Sequence, residues 1–346
     1  MNMKAAVYYG VKDIRIEEIK KPKPGPGEIL MKNITALTCG TDVKQFLRGY
    51  PKFKKGEIIT FGHESAGIVE EVGEGVTKFK VGDRIAPHNS APCNECYYCK
   101  IGEHSMCDNL LFMRTAYSEY RLIPEPIVRQ NTFLIPDNVS FRSAALLEPL
   151  GSAIHGIEVA NIKLMDTVVI NGAGPLGLMM IKIAKLKGAF VISTDINEGR
   201  LKIAKKMGAD IVLNVKDCDN TPDLVKKHTK QGRGADVAIE ATGRPEVWES
   251  SIYMVRKGGT VVEFGGLKSG AKISLDATLV HYSQITVKGV FHTTPKIVEQ
   301  AFKLIERNII NEELLVNDTY SLNDFQLALE AHMRGEVIKN EIRCDI

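Results

Sequence analysis

Between Thr167 and Arg200 the chain carries a pattern that leaves few architectures open. A strand-like run, Thr167-Val168-Val169-Ile170, leads into Asn171-Gly172-Ala173-Gly174-Pro175-Leu176-Gly177. An apolar stretch of helical character follows, ending near Gly188, and a second strand-like run, Phe190-Val191-Ile192-Ser193, delivers Asp195. Gly172 permits a tight turn, Gly174 lets backbone N–H groups approach a pyrophosphate, and Gly177 allows close packing of helix on strand. Pro175 and Leu176 open the helix, whose unpaired N–H groups and positive dipole end suit an anion. Asp195 lies 18 residues beyond Gly177, near the spacing of about 20 expected for a carboxylate that accepts from an adenosine ribose hydroxyl. A glycine-rich turn alone is ordinary. Strand, loop, helix, strand and acid in this order predict a dinucleotide site.

With 346 residues the chain has room for two or three domains. A hydrophobic content of 44% and a charged content of 25% describe an ordinary globular protein, and a net charge of +3 gives a nucleic-acid role no support. The first residues run directly into a strand, with no apolar leader and no run long enough to span a bilayer. The expected compartment is the cytoplasm, with no membrane partner. Four of the seven cysteines lie between Cys93 and Cys107, which in a reducing compartment points to metal and not to disulfides.

The chain changes character near its middle. Residues up to about 150 are β-rich, with runs such as Ala5–Tyr9, Ile14–Glu17, Ile29–Leu37, Glu64–Glu70 and Arg84–Pro87 separated by Pro and Gly signals. Alternation through Ser65–Gly73 and Lys80–Ile85 suggests hairpins of a small barrel. From about Asn161, strands Thr167–Ile170, Phe190–Thr194, Ile211–Leu213, Val237–Glu240, Gly259–Phe264 and Ile285–Val290 alternate with helical stretches such as Gly199–Met207 and Pro222–Lys230. That alternation predicts a doubly wound α/β sheet. Pro295–Arg307 and Leu322–Arg334 read as helices and Val337–Arg343 as a last strand, in a tail expected to return to the first domain.

Cys93-x2-Cys96-x2-Cys99-x7-Cys107 supplies four thiolates, enough to close a tetrahedron around Zn²⁺ with no position left for water. An iron–sulfur cluster also takes four cysteines, but the spacing differs from the ferredoxin runs. A more dispersed group comprises Cys39, His63, Glu64 and Glu148. Singly, these read as a small core residue, a core histidine, a solvated strand start and a helix-end acid. Together they offer the S, N and O ligands of an open zinc site that acts as a Lewis acid.

These residues carry a resemblance. Cys39-Gly40-Thr41-Asp42, Gly62-His63-Glu64, the four-cysteine lobe, Ala116-Tyr117-Ser118-Glu119-Tyr120, Leu147-Glu148-Pro149-Leu150 and the Gly172 fingerprint occur in the order of the zinc-dependent medium-chain alcohol dehydrogenases. The likeness covers nearly the whole chain. Glu64 after His63 and Glu148 before Pro149 resemble the sorbitol (polyol) and threonine dehydrogenase branch. The resemblance implies an α/β protein with a GroES-like β-barrel catalytic domain over 1–152 and a zinc lobe at 90–110. It implies a Rossmann NAD-binding domain over 153–293 and a C-terminal segment, 294–346, returning to the first domain, with a cleft between the domains. It implies two zinc ions per chain: a catalytic one held by Cys39, His63 and a carboxylate, Glu64 or Glu148 or both, and a structural one held by Cys93, Cys96, Cys99 and Cys107. A homo-oligomer, dimer or tetramer, is also expected.

The expected reaction is reversible oxidation of a secondary alcohol, a polyol or sugar-derived alcohol, to the ketone by hydride transfer to NAD. Zinc lowers the pKa of a hydroxyl it holds. The resemblance places Thr41 as the hydroxyl that passes the proton away. Where relatives often carry a histidine at the outer end of that relay, this chain has Lys44. Lys44 either relays a proton, binds an anionic substituent together with Arg48 and Lys52, or is a solvated charge. A polyol phosphate and L-threonine are therefore alternative substrates. Gly265, Gly266, Val290 and Phe291 are expected along the cofactor, and His292 either near substrate or as a plain loop residue. Asp195 favours NAD over NADP, with Arg200 opposing in part. A zinc-stabilised NAD-binding protein without turnover is the rival class; it has no use for the Cys39, His63, Glu64 and Glu148 group.

Overall fold

The strand that opens the fingerprint, Thr167–Asn171, lies inside a six-stranded sheet in which every neighbouring pair is parallel. Across the sheet the order is Ile211–Asn214, Phe190–Asp195, Thr167–Asn171, Ala235–Glu240, Val255–Glu263 and Thr286–Gly289. Chain order reverses between Thr167–Asn171 and Ala235–Glu240, the switch point where doubly wound sheets place their ligands. The central strands Thr167–Asn171 and Ala235–Glu240 are largely buried on both faces, which is why they read as apolar runs. This sheet and its helices form one compact unit, Ser152–His292. The computed structural model describes residues 1–49 and 59–346, so Lys52 lies outside the described residues.

The other unit comprises Met1–Gly151 and Thr293–Ile346. Its larger sheet runs Thr132–Leu134, Arg84–Pro87, Ser65–Val72, Ile29–Leu37, Lys339–Arg343 and Val316–Ser321, with Tyr120–Ile123 also paired to Ile29–Leu37. The C-terminal strand is antiparallel to Ile29–Leu37, setting Ile342 opposite Ala36. A smaller sheet orders Asp13–Lys20, Asn2–Gly10 and Ile59–Thr60. Between them sits an aromatic core of Tyr8, Phe61, Tyr117 and Phe325, with the Tyr117 and Phe325 rings 4.5 Å apart.

Several bounds differ from the sequence expectation for local reasons. The helix from Thr221 stops at Lys227 because the Thr229 hydroxyl binds the Lys226 carbonyl and accepts from Gly234 N–H. Leu322–Asp324 is a separate 3₁₀ turn before the helix Phe325–Arg334. In the β-rich half, the helices Gly40–Arg48, Glu125–Asn131 and Leu147–Ala160 were not anticipated. The first of them places the site.

Candidate metal and dinucleotide sites

Cys39 is the residue on which the helix Gly40–Arg48 starts, and its Sγ accepts from the Thr41 N–H. Asp42 returns a carboxylate oxygen to the Cys39 N–H at 3.2 Å, a reciprocal cap that fixes both side chains. Asp42 is buried, accepts from the Tyr117 hydroxyl at 2.5 Å, and lies 3.1 Å from His63 Nδ1. A carboxylate only accepts, so Nδ1 carries the proton and Nε2 is left to bind something else. Burial alone depresses the His63 pKa, but Asp42 and Cys39 more than reverse it and hold it well above the ordinary value. Burial likewise raises Asp42, and the contacts with His63 and Tyr117 bring it below the usual range.

The backbone just before His63 is irregular. Gly62 has φ +84°, and a Cβ there would meet the Tyr117 ring at 2.6 Å. That turn lets the adjacent residues His63 and Glu64 reach one place: one donor atom each of Cys39, His63 and Glu64 lie within 4.8 Å of one another. Glu64, fully buried, receives Lys339 Nζ on both oxygens, at 2.8 and 2.6 Å. Burial pushes the Glu64 pKa up and Lys339 pulls it back, to about 7. Glu148 stands slightly outside this group, its Oε2 4.0 Å from His63 Nε2 and its Oε1 accepting from Asn89.

These groups fit a dication. Around His63 stand the Cys39 sulfur and three carboxyl groups, Asp42, Glu64 and Glu148, with Lys339 and Arg121 buried nearby. The converging S, N and O donors suit zinc. In the lobe, all four sulfurs of Cys93, Cys96, Cys99 and Cys107 lie within 4.8 Å of one another. The N–H groups of Glu95 and Cys96 point at Cys93 Sγ and bring its pKa down to about 6, while burial pushes Cys99 up to about 12. Four converging sulfurs leave no room for a further ligand, the donor set of a closed zinc site.

In the other unit, Gly172 has φ +103°. A Cβ on Gly177 would overlap the Gly172 carbonyl, whereas one on Gly174 would meet nothing within 4 Å. Gly174 thus has open space beside a helix start that no side chain caps, the surroundings an anion requires. Asp195 accepts from Ala173 N–H at 2.7 Å and from Asn197 N–H at 2.8 Å, tying the second strand to the fingerprint loop. Arg200 Nε is buried without a hydrogen-bond partner.

Residues 175–307 match the family described as zinc-binding dehydrogenase, and residues 25–136 match the alcohol dehydrogenase GroES-like domain. The sorbitol dehydrogenase of Bacillus subtilis (strain 168) is 35% identical over 98% of this chain and 95% of its own length. The probable D-xylulose reductase A of Emericella nidulans is 31% identical over 97% and 95%. The chain belongs to the zinc-dependent medium-chain alcohol dehydrogenases. The crystal structure of 2R,3R-butanediol dehydrogenase from Bacillus subtilis superposes on this dehydrogenase with a TM-score of 0.87, at 28% identity and 99% coverage of each chain. Its cofactors are therefore zinc and NAD, and its reaction is hydride exchange between NAD and an alcohol carbon. Among the described residues no helix is long and apolar enough to cross a membrane.

The other expected residues fall as follows in this dehydrogenase. Thr41, Lys44 and Arg48 are exposed on the helix that Cys39 caps. Phe291 is exposed and Val290 half-buried; the His292 carbonyl accepts from His155 Nδ1 at 2.9 Å. Gly265 has a packing reason for its size, since a Cβ there would overlap Gly243 and the Glu240 carboxylate, while Gly266 has open space around it. Sequence reasoning assigned no role to Asp42, Tyr117, Arg121 or Lys339. Asp42 stood inside a quoted motif; Lys339 and Arg121 gave no signal beyond a charge in an otherwise strand-like run. Also unforeseen is Glu263, buried at the end of its strand with both oxygens unpartnered, opposite Glu240 in the neighbouring strand. Burial, and then Glu240, push the Glu263 pKa up to about 8.

Proposed function

We propose that this dehydrogenase oxidises a secondary hydroxyl of a neutral polyol or sugar-derived alcohol to the ketone, with Cys39, His63 and a carboxylate as the ligands of the catalytic zinc. The observation that supports it best is the convergence of Cys39, His63 and Glu64 donors within 4.8 Å, with His63 oriented by Asp42. Glu64 spends both oxygens on Lys339, so Glu148, whose Oε2 takes no hydrogen bond among the described residues, is the better carboxylate for a lasting ligand. Zinc, when bound, supplies the Lewis acidity that makes an alcohol proton easy to remove near neutral pH. NAD, when bound, accepts the hydride.

The chain's own part is positional. Asp42 fixes the His63 ring by its Nδ1 proton. Lys339 offsets the charge of Glu64, so that a buried carboxylate is tolerated beside Cys39. Thr41, exposed two residues after Cys39, passes the alcohol proton outward. In the other unit the loop at Gly174 and the helix N-terminus bind the pyrophosphate, and Asp195 the adenosine ribose. We assign 1–152 with 294–346 to catalysis, with Cys93, Cys96, Cys99 and Cys107 holding the structural zinc, and 153–293 to NAD. A cytoplasmic homo-oligomer completes the reading: none of the seven cysteines forms a disulfide, and the outermost strand Thr286–Gly289, with its Val287, is exposed, as is Tyr282.

A second substrate reading, a polyol phosphate, rests on Lys44 and Arg48, which lie one helical turn apart and are both exposed. Reduced-nicotinamide absorbance with a panel of neutral polyols, polyol phosphates and L-threonine tests both. The expected result is turnover of a neutral polyol, with Lys44→Ala lowering kcat for every alcohol and partial recovery on adding small bases. A Lys44→Ala change that raises KM for a phosphorylated polyol alone would instead establish the phosphate reading.

A further inference from the structure

Arg121 occupies a position that strand alternation reserves for an apolar side chain. It lies on the strand Tyr120–Ile123, opposite Met31, on the same face as the buried Ile123, and is itself fully buried. A buried guanidinium demands an explanation, because desolvating a cation costs several kcal/mol unless its hydrogen bonds are satisfied. Its acceptors are all neutral: the carbonyls of Arg114 at 2.7 Å, Met113 at 3.2 Å and His63 at 3.3 Å, and Ser65 Oγ at 2.8 Å.

Two of those acceptors stand on either side of Glu64. The segment entering the strand Ser65–Val72 is irregular because His63 and Glu64 both have to reach the Cys39 neighbourhood. The Glu64 carbonyl is paired with Leu37 N–H. The His63 carbonyl instead receives Arg121, a partner that backbone outside the regular ladder requires. The guanidinium fork spans His63 and Ser65 together, which a single ammonium does not. Its charge also counters Glu148, the largest influence opposing the desolvation of Arg121.

We propose that Arg121 is a positioning residue for the zinc site of Cys39 and His63, clamping the backbone on both sides of Glu64 so that His63 presents its ring at a fixed place; this rests on the ligand assignment above. Arg121 touches neither substrate nor cofactor in this role. It acts through the His63 main chain, and its charge lies near enough to Glu148 to interact with it.

Chelator competition on the zinc-loaded protein, and the visible absorption of the cobalt-substituted protein, test the clamp in Arg121→Lys and Arg121→Met. The expected result is about 10- to 100-fold weaker binding of one of the two metals, as for other groups that orient ligands. An altered cobalt spectrum and unchanged retention of the metal in the four-cysteine lobe should accompany it. A merely structural arginine would lower thermal stability without moving the cobalt spectrum. Should neither variant fold, Ser65→Ala removes one acceptor and leaves the guanidinium in place; a severalfold loss of metal affinity is expected from about 1 kcal/mol per hydrogen bond. Wild-type affinity and an unaltered spectrum in any of these folded variants overturn the proposal. Cys39→Ser is the control: if the cobalt signal survives it, the ligand assignment itself fails and the clamp with it, whereas loss of signal there with none in the Arg121 variants overturns the clamp alone.

Discussion

Lys339 donates to both carboxylate oxygens of Glu64 across 275 residues of sequence, with both side chains sealed from solvent. The lysine also donates to the Thr38 carbonyl, so the C-terminal strand is bonded to the start of the Cys39 helix and to the acid next to His63. Lys339→Met leaves Glu64 buried and unpaired, and about 3–5 kcal/mol of stability should be lost. Lys339→Arg should lose less. Denaturant midpoints check this, and a Lys339→Met protein as stable as wild type would mean that Glu64 takes up a proton at no cost.

Elemental analysis should find about two zinc per chain, one of each kind. Cys39→Ser should remove one of them and abolish turnover with most of the thermal stability kept. Cys96→Ser should lower stability severely, because a closed site contributes its binding energy to folding. Equal collapse of both variants would erase the distinction between the two sites.

Turnover efficiency should favour NAD over NADP, since the Asp195 carboxylate repels a 2′-phosphate. Asp195 also holds Ala173 N–H in the fingerprint loop, so Asp195→Ala should raise KM for NAD about 10-fold or more, the size of one lost charge-assisted hydrogen bond. A preference for NADP in the unaltered protein would show that Arg200, whose Nε is unpartnered, governs the choice.

Glu263 makes stability depend on pH. Its carboxyl stays protonated in the fold up to about 8, whereas in the unfolded chain it ionises near the ordinary 4.5. Between those values the folded protein binds the extra proton, so stability falls as pH rises through the window and levels off above it. Glu263→Gln should flatten the curve of Tm against pH. Glu263→Leu should raise stability above that window by about 1–3 kcal/mol, the cost of a buried unsatisfied polar group. Both are read by thermal unfolding across the pH range.

By itself the sequence determined the features whose chemistry is local along the chain. The turn at Gly172 and Gly177 is required by contacts within a few residues or to a neighbouring strand, and four cysteines inside one short loop can meet in few other ways. Only the tertiary structure decided which charges are buried together. The pairing of Lys339 with Glu64 follows from the register that sets Glu341 opposite Leu37, and no local spacing encodes it. Arg121 and Glu263 each sit in strand-like runs where a charge reads as a solvated face until the packing of the opposite layer is known. The same holds for which of Glu64 and Glu148 has its oxygens occupied, because Lys339 reaches Glu64 only once the last strand has joined the sheet.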